Sequence, residues 1–500
     1  MHNRLCDARK IVPPQPYRSS TALPKTLRIT LIVLFPLWTF AATGADEVWY
    51  FRCDHGVVAD DAPLPNDFRD GAELLWKTPL ASGHSSPCLS GDAIYVTTFE
   101  PDSAQLATVA LDRHTGRIIW RQVAPAERLE PFHPVGSPAA STPATDGQRV
   151  YVFFGSYGLL CYDADGKLLW SVPMGPFQDE FGASSSPVLA DDLVVLNEDH
   201  DVDSFLIAID KNTGQTRWKT SRAEFVRSYS TPIVIDVEGR KQIVVAGSLQ
   251  LTGYDLKTGE RLWWVEGISR IVDCTPCYAH GLVYLATWTP GGDDENRIRM
   301  EPYAEALMKY DQNNDQLLGE EELPEGEVRT RFYRMDINQD GYLDRREWDK
   351  YAEVFERARN VALAVDPRGR GDISQTGVLW RYRRSLPTVP SSVVYQGIFY
   401  MVKDGGIITS LDAMTGEPLK QGRAAGPGNY YASLVAGDGK VYICSERGVV
   451  TVLRAGRPWE ILSSHDFGER IMATPTIRDG HIYLRTEKAL YCFRKRTDSR

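Results

Sequence analysis

Five hundred residues, 43% of them apolar and 24% charged, suffice for one large all-β domain or two to three ordinary domains. The formal charge of −10 becomes −15 once residues 1–45, with six basic side chains and one acidic, are set aside. A chain that acidic has no electrostatic means of holding nucleic acid or an anionic membrane surface.

The chain opens with an export pattern. Arg18, Lys25 and Arg28 precede an apolar run from Ile29 to Ala42, and the small residues Thr43, Gly44 and Ala45 follow before Asp46. The run is short of the roughly 20 residues a membrane-spanning helix needs, so residues 1–45 are expected to be a signal peptide. An uncleaved anchor is the alternative. The destination is periplasmic or extracellular, with no integral span beyond this segment. No Cys stands at the cleavage point to take a lipid. Of eight Cys, Cys6 lies in the signal, and the remaining seven cannot all pair. Cys88, Cys161, Cys444 and Cys492 sit in apolar, strand-like runs, where buried free thiols are the default.

Two phrases then recur. A ten-residue phrase reads LDRHTGRIIW ending at Trp120, IDKNTGQTRW ending at Trp218 and YDLKTGERLW ending at Trp263. Looser copies end at Trp170, Trp380 and Trp459, and another starts at Leu411. The Asp is expected to cap a hairpin turn, the Gly to supply positive φ, and the Trp to wedge between neighbouring units. A second phrase, small-polar-Pro followed by a turn and an alternating strand, precedes each copy from Ser85, Ser141, Ser185, Ser230, Cys274, Pro390, Ala432 and Ala473. Eight units of four short strands, at a period of roughly 40 to 50 residues, predict a β-propeller. The fold class is therefore all-β, an eight-bladed ring spanning residues 46–289 and 361–500. The last unit stops at LYCFRK without its outer strand, and the segment ending ELLW at Trp76 is the candidate to supply it.

These units resemble the PQQ-type repeats of quinoprotein dehydrogenases and of the lipoprotein propeller that assists outer-membrane barrel assembly. The likeness spans about residues 70 to 494 except for one insertion. The opening WYFRCDHG is similar to the front of exported bacterial PQQ-repeat proteins, in degraded form.

Between Trp288 and Val361 the β pattern halts, and residues 290–360 carry 19 acidic against 11 basic side chains. Within them DINQDGYLDRRE fits a calcium loop: Asp336, Asn338 and Asp340 at positions 1, 3 and 5, Gly341 at 6, the Tyr342 carbonyl at 7, Asp344 at 9 and Glu347 at 12. Calcium, a hard cation taking six to eight oxygens, needs that mixture of carboxylate, amide and carbonyl. A second loop offers Asp311, Asn313, Asp315, the Leu317 carbonyl and Glu322, with Gln316 in place of the turn Gly and Gly319 in place of the position-9 ligand. Trp348, Tyr351, Ala352 and Phe355 recur at helical spacing behind the 336 loop, and Val328, Phe332 and Met335 ahead of it. Leu318 and Leu343 are placed to bridge the loops. Pro324 should cut the first exit helix short. An EF-hand pair inserted in blade five is expected, compact and structural rather than an opening switch.

Catalytic constellations are missing. The quinoprotein alcohol dehydrogenases that the repeats resemble use adjacent Cys, calcium ligands and an Asp base inside the ring, and no Cys-Cys dipeptide exists here. PQQ is accordingly not expected. Cys274-x-x-Cys277 lacks the His that covalent haem attachment requires, and Cys277 aligns with Cys88 and Val188 as a core strand position. No HExxH and no GxSxG occur. No catalytic residue is assigned. The reading is a calcium-binding, non-catalytic exported propeller that serves as a scaffold for another protein or an extracellular ligand. The alternative is a PQQ-dependent alcohol or sugar dehydrogenase.

Overall fold

The computed structural model describes residues 48–69 and 73–495; the expected signal, residues 1–45, lies outside them. The repeats fold as eight antiparallel sheets, each built on four strands, whose first strands line a central channel. Blade one is Cys88–Ser90, Ala93–Glu100, Gln105–Asp112 and Ile118–Val123. In each blade the middle strands are covered on both faces by neighbouring blades, so Leu193–Glu198 and Phe205–Asp210 of blade three are buried throughout. Outer strands meet solvent on one side, and Ile118–Val123 alternates exposed and half-buried residues accordingly.

Adjacent blades are locked at the rim as the ten-residue phrase requires. Asp112 Oδ1 accepts from the backbone N–H of His114 and Thr115, and Asp210, Asp255 and Asp412 do the same in their own turns. The carbonyl after that Asp then accepts the indole N–H of the preceding blade: Trp76 to Arg113, Trp120 to Ala164, Trp170 to Lys211, Trp218 to Leu256 and Trp380 to Ala413, at 2.8–3.2 Å. The turn glycine is needed twice. Gly259 has φ +71°, and a Cβ there would stand 2.4 Å from the Trp218 ring. In all eight blades the pairing of third and fourth strands shifts register beside this docking position. Such a bulge re-aims a side chain, here toward the next blade.

Two tryptophans depart from the expected wedge. Blade five replaces the short turn with a longer one, whose Gly371–Asp372 pairs in parallel with Trp263 and Trp264 as a fifth strand on blade four. Trp263 is therefore fully buried and bonds Gln242 of its own blade at 2.7 Å. Trp459 of blade seven stands just ahead of the outer strand Glu460–Asp466, and Ser463 takes the place beside the register shift that the docking tryptophans hold elsewhere. The Trp459 indole packs back on blade six, under the Lys420 ammonium at 4.3 Å and against Gly422.

A second lock runs around the channel. The backbone N–H of one blade's Ser or Thr donates to the hydroxyl of the next: Ser86 to Thr142, Thr142 to Ser186, Ser186 to Thr231, Thr275 to Ser391, Ser391 to Ser433 and Ser433 to Thr474, at 2.8–3.1 Å. Between blades eight and one, buried Arg485 instead donates to the Ser85 carbonyl (3.0 Å) and hydroxyl (2.6 Å).

The chain ends close the ring. Leu74–Pro79 pairs antiparallel with Ala489–Arg494 as the outer strand of blade eight. Residues 48–57 do more than expected, because they cross the channel axis. Val48 pairs with Ser90 of blade one, the Tyr50 hydroxyl donates to Leu189 of blade three, and His55 meets Tyr278 of blade five edge-on. Arg52, only 5% exposed, donates to the carbonyls of Ser392 (2.5 Å) and Leu434 (3.3 Å) in blades six and seven. Removing residues 46–79 should therefore lower the melting temperature sharply and broaden the transition, since it unseals one blade edge and opens the channel floor. An unchanged calorimetric trace would count against this closure.

The insertion leaves after Thr287 and returns at Val361, between the second and third strands of blade five. It holds three helices, α1 (Tyr303–Tyr310), α2 (Phe332–Met335) and α3 (Arg345–Arg357). Their apolar faces share one core with Val226 and Leu249 of the ring. Trp348, Tyr351 and Phe355 of α3 are buried there as their spacing predicts, whereas Ala352 is half-buried and Val354 takes the inward place. Beyond Pro324 there is no exit helix, only the 3₁₀ turn Glu320–Glu322 before it.

Candidate metal centre and ring cavity

The two acidic loops share one internal hydrogen-bond pattern. At position 1, Asp336 Oδ2 accepts from Gly341 N–H (2.9 Å) and Asp311 Oδ2 from Gln316 N–H (3.0 Å). At position 3, Asn338 and Asn313 accept from the N–H of Asp340 and Asp315. Position 5 follows, with Asp340 and Asp315 accepting from Tyr342 and Leu317 N–H, each at 2.9 Å. At position 12 one oxygen of Glu347 accepts from Ile337 N–H and the other from Asp344 N–H, and Glu322 repeats this with Gln312 and Gly319. Leu318 and Leu343 pair antiparallel between the loops, as their placement implies.

The loops differ where the sequence differs. Gly341 takes φ +88° at the sharp turn, and Gln316 is held at +68° in the same place. Asp344 caps α3 by accepting from Glu347 N–H, whereas Gly319 has no side chain to offer. Asp336 and Glu347 are buried, and burial pushes the Glu347 carboxyl above the ordinary glutamate range although three N–H groups favour its charge. Among the described residues no three His, Cys, Asp or Glu side chains are gathered tightly enough to hold an ion in these positions. The loop carboxylates are turned onto loop N–H groups.

The insertion does not project freely from blade five. Gln178 Nε2 donates to the Ile337 carbonyl within the 336 loop (3.0 Å), and Glu180 takes Arg334 of α2 (2.5 Å) together with Arg227 of the ring (2.9 Å). Arg331 and Arg334 thereby reach the wall of a cavity of about 460 Å³ in the channel, where Phe51 of the crossing segment and the Ser and Thr hydroxyls of the inner lock also stand.

The quinone that the dehydrogenase likeness brings to mind would need vicinal thiols and metal-binding carboxylates in that wall. No cysteine lines it, and Asp273 is its one acidic side chain. Cys274 and Cys277 are free, buried thiols, the first with its sulfur 3.6 Å from the Thr388 and Pro390 carbonyls. The residues present do not fit that group.

Behind the wall lies a buried relay that sequence reading missed. The Tyr229 hydroxyl donates to Asp179 (2.6 Å), and the His200 ring lies between Asp179 (3.5 Å) and Glu198 (2.9 Å), stacked on Phe177. Burial disfavours the charged imidazole, yet its two carboxylate partners outweigh this and hold His200 well above the ordinary histidine range. Glu130, beside them, has one oxygen on Ala183 N–H (3.1 Å) and the other buried without a partner, and burial pushes it up to about 8. The polar run NEDHD from Asn197 to Asp201, inside an apolar strand phrase, was the available signal.

The sheets, their docking and their closure define an eight-bladed propeller of the quinoprotein type, built from PQQ-like repeats. The chain belongs to the family described as outer membrane protein assembly factor BamB, matched over residues 105–269 and 357–500, with the insertion in the gap between. No curated protein matches it at a significant level. Among solved structures it is similar to BamB from Moraxella catarrhalis, with 12% identity and a TM-score of 0.52 over 84% of this chain and 99% of that one. The computationally designed Ika8 protein gives 11%, 0.51, 85% and 100% in the same terms. The quinohemoprotein alcohol dehydrogenase ADHIIG from Pseudomonas putida HK5 gives 13%, 0.51, 84% and 76%. At these identities the likeness carries the fold alone.

The raised groups fix the sign of a pH effect. The folded chain keeps a proton on Glu130 that the unfolded chain has lost between about pH 4.5 and 8, so stability must fall as pH rises through that window. The melting temperature should drop between about pH 5 and 8, and Glu130→Gln should flatten the slope. An identical slope in the variant would remove Glu130 from the account.

Proposed function

We propose that this chain is an exported, calcium-binding, non-catalytic propeller whose inserted module is an EF-hand pair and whose ring serves as a scaffold for a protein or an extracellular ligand. The observation that carries the calcium reading is the matched hydrogen-bond pattern of the two loops, joined by the Leu318–Leu343 bridge. Two stretches of different sequence adopt one fold of the backbone, and in both every ligand position of a calcium loop except position 9 of the first presents oxygen. Asp336, Asn338, Asp340, the Tyr342 carbonyl, Asp344 and Glu347 would hold one ion. Asp311, Asn313, Asp315, the Leu317 carbonyl and Glu322 would hold the other. All are hard oxygen donors suited to calcium. The ion would neutralise the densest acidic stretch of the chain and stiffen a module already docked on the ring.

The scaffold reading rests on the family and on the fit of the cavity wall, which lacks what a dehydrogenase of this fold would need. Export rests on the pattern of residues 18–45. Among the described residues no helix is long and apolar enough to cross a membrane.

The 336 loop should bind first, because holding Gln316 in a left-handed turn costs on the order of 1 kcal/mol. Titration calorimetry with calcium should show two steps, and Glu347→Gln should remove the tighter one while Glu322→Gln removes only the weaker. The reverse result would exchange the sites. Unaltered binding in both variants would reduce the insertion to an acidic surface. Gel filtration after incubation with PQQ and calcium should leave no quinone absorbance on the protein, and retained absorbance with alcohol-dependent dye reduction would favour the dehydrogenase instead.

A further inference from the structure

Three guanidinium groups line the cavity, and only two are neutralised. Arg334 is held by Glu180, and Arg331 by Glu327. Arg270 is 4% exposed, donates its Nε to the Pro290 carbonyl at 3.3 Å, and bonds no carboxylate among the described residues; Asp273, in the same wall, feels its charge without hydrogen-bonding it, and burial favours the neutral form of that carboxyl. A buried cation without a bonded carboxylate is costly; Arg52 and Arg485 are also held on carbonyl oxygens, but of the three only Arg270 lines this cavity, where a ligand can supply the missing charge.

Below it stands a ring of donors. Thr142, Ser186, Thr231, Ser391, Ser433 and Thr474 each accept the preceding blade's N–H, which commits one lone pair and leaves the hydroxyl proton. No hydrogen bond within the described protein uses those six protons, and all six residues line the cavity. O–H donors beneath an unpaired guanidinium make a surface that recognises oxygen acceptors and negative charge.

We propose that this cavity binds a small, acceptor-rich organic anion of the sugar-acid type, with its carboxylate or sulfate on Arg270 and its oxygens on the hydroxyl ring. The volume, about 460 Å³, lies in the usual range of roughly 300–1,000 Å³ for small-molecule sites. Arg331 and Arg334 come from the insertion, so the ligand is shared between the ring and the module above it. Burial, and then the charges of Arg331 and Arg334, pull Arg270 down to about 9, and the negative charge of an arriving anion counters that pull by favouring the guanidinium's charged form. This site stands whether or not the acidic loops take calcium.

The test uses the full chain and saturation-transfer NMR with three probes: D-glucuronate, glucose 6-sulfate and neutral glucose. At least one anion should bind and glucose should not, and the stronger of the two identifies the oxyanion preferred. Arg270→Met should weaken that anion about ten- to hundredfold, the worth of one charged hydrogen-bonded contact, without moving the melting temperature downward. Thr231→Val, which keeps the shape and removes one donor, should weaken it less. Binding of glucose equal to that of the anions, no binding of either anion up to about 10 mM, or full retention in Arg270→Met would each overturn the proposal.

Discussion

A propeller blade is a sheet apolar on both faces, so it is stable only between two others, and the contact that joins successive blades carries the ring. In this chain that contact is an outer-strand indole lying flat on the next blade's turn glycine, with its N–H on the adjoining carbonyl. A Trp removes on the order of 150–250 Å² from water, which makes it the largest single apolar contribution available at the rim. The glycine is obligatory because its φ is positive and because a Cβ would occupy the ring's place. The turn Asp matters one step further back, since it holds the carbonyl where the indole can reach it. Where the turn changes, the lock changes with it, as the added Gly371–Asp372 strand on blade four shows.

The inner lock is built from smaller parts. Ser and Thr hydroxyls satisfy backbone N–H groups that the first strands leave without sheet partners at the channel, and a buried N–H left unpaired would be expensive. The same geometry faces unused hydroxyl protons into the channel, so an element that holds the ring together also gives its interior a chemical character. The insertion enters at this end of blade five, where Thr289 and Pro290 stand in the cavity wall, and its helices lean over the opening instead of away from it.

The repeat was legible because it is local. Asp-x-x-Thr-Gly and the terminal Trp lie within ten residues, and their roles follow from turn geometry whatever surrounds them. The two acidic loops were legible for the same reason, down to the left-handed Gln316 and the Leu318–Leu343 bridge. What escaped depends on partners that only the folded ring brings together. Arg52 acquires its meaning from carbonyls at positions 392 and 434, Arg270 from arginines at 331 and 334, and His200 from Asp179 and Glu198 across a bend of the chain. Trp459 looked like its counterparts and differs because it falls ahead of its outer strand, where Ser463 has the docking position.

The segment 48–57 lies across the axis beneath blades that span the rest of the sequence. It is made before most of the blades and can be fully seated only after them, since Arg52's carbonyl acceptors at 392 and 434 do not yet exist, nor does the partner at 489–494 of the following strand, Leu74–Pro79. Until then the early blades stand as an open arc with bare edges, and the contacts that finish the molecule are almost as long in sequence as the chain allows. Order of synthesis and order of completion therefore run in opposite directions, and the interval between them is when this protein depends most on being kept from its own copies.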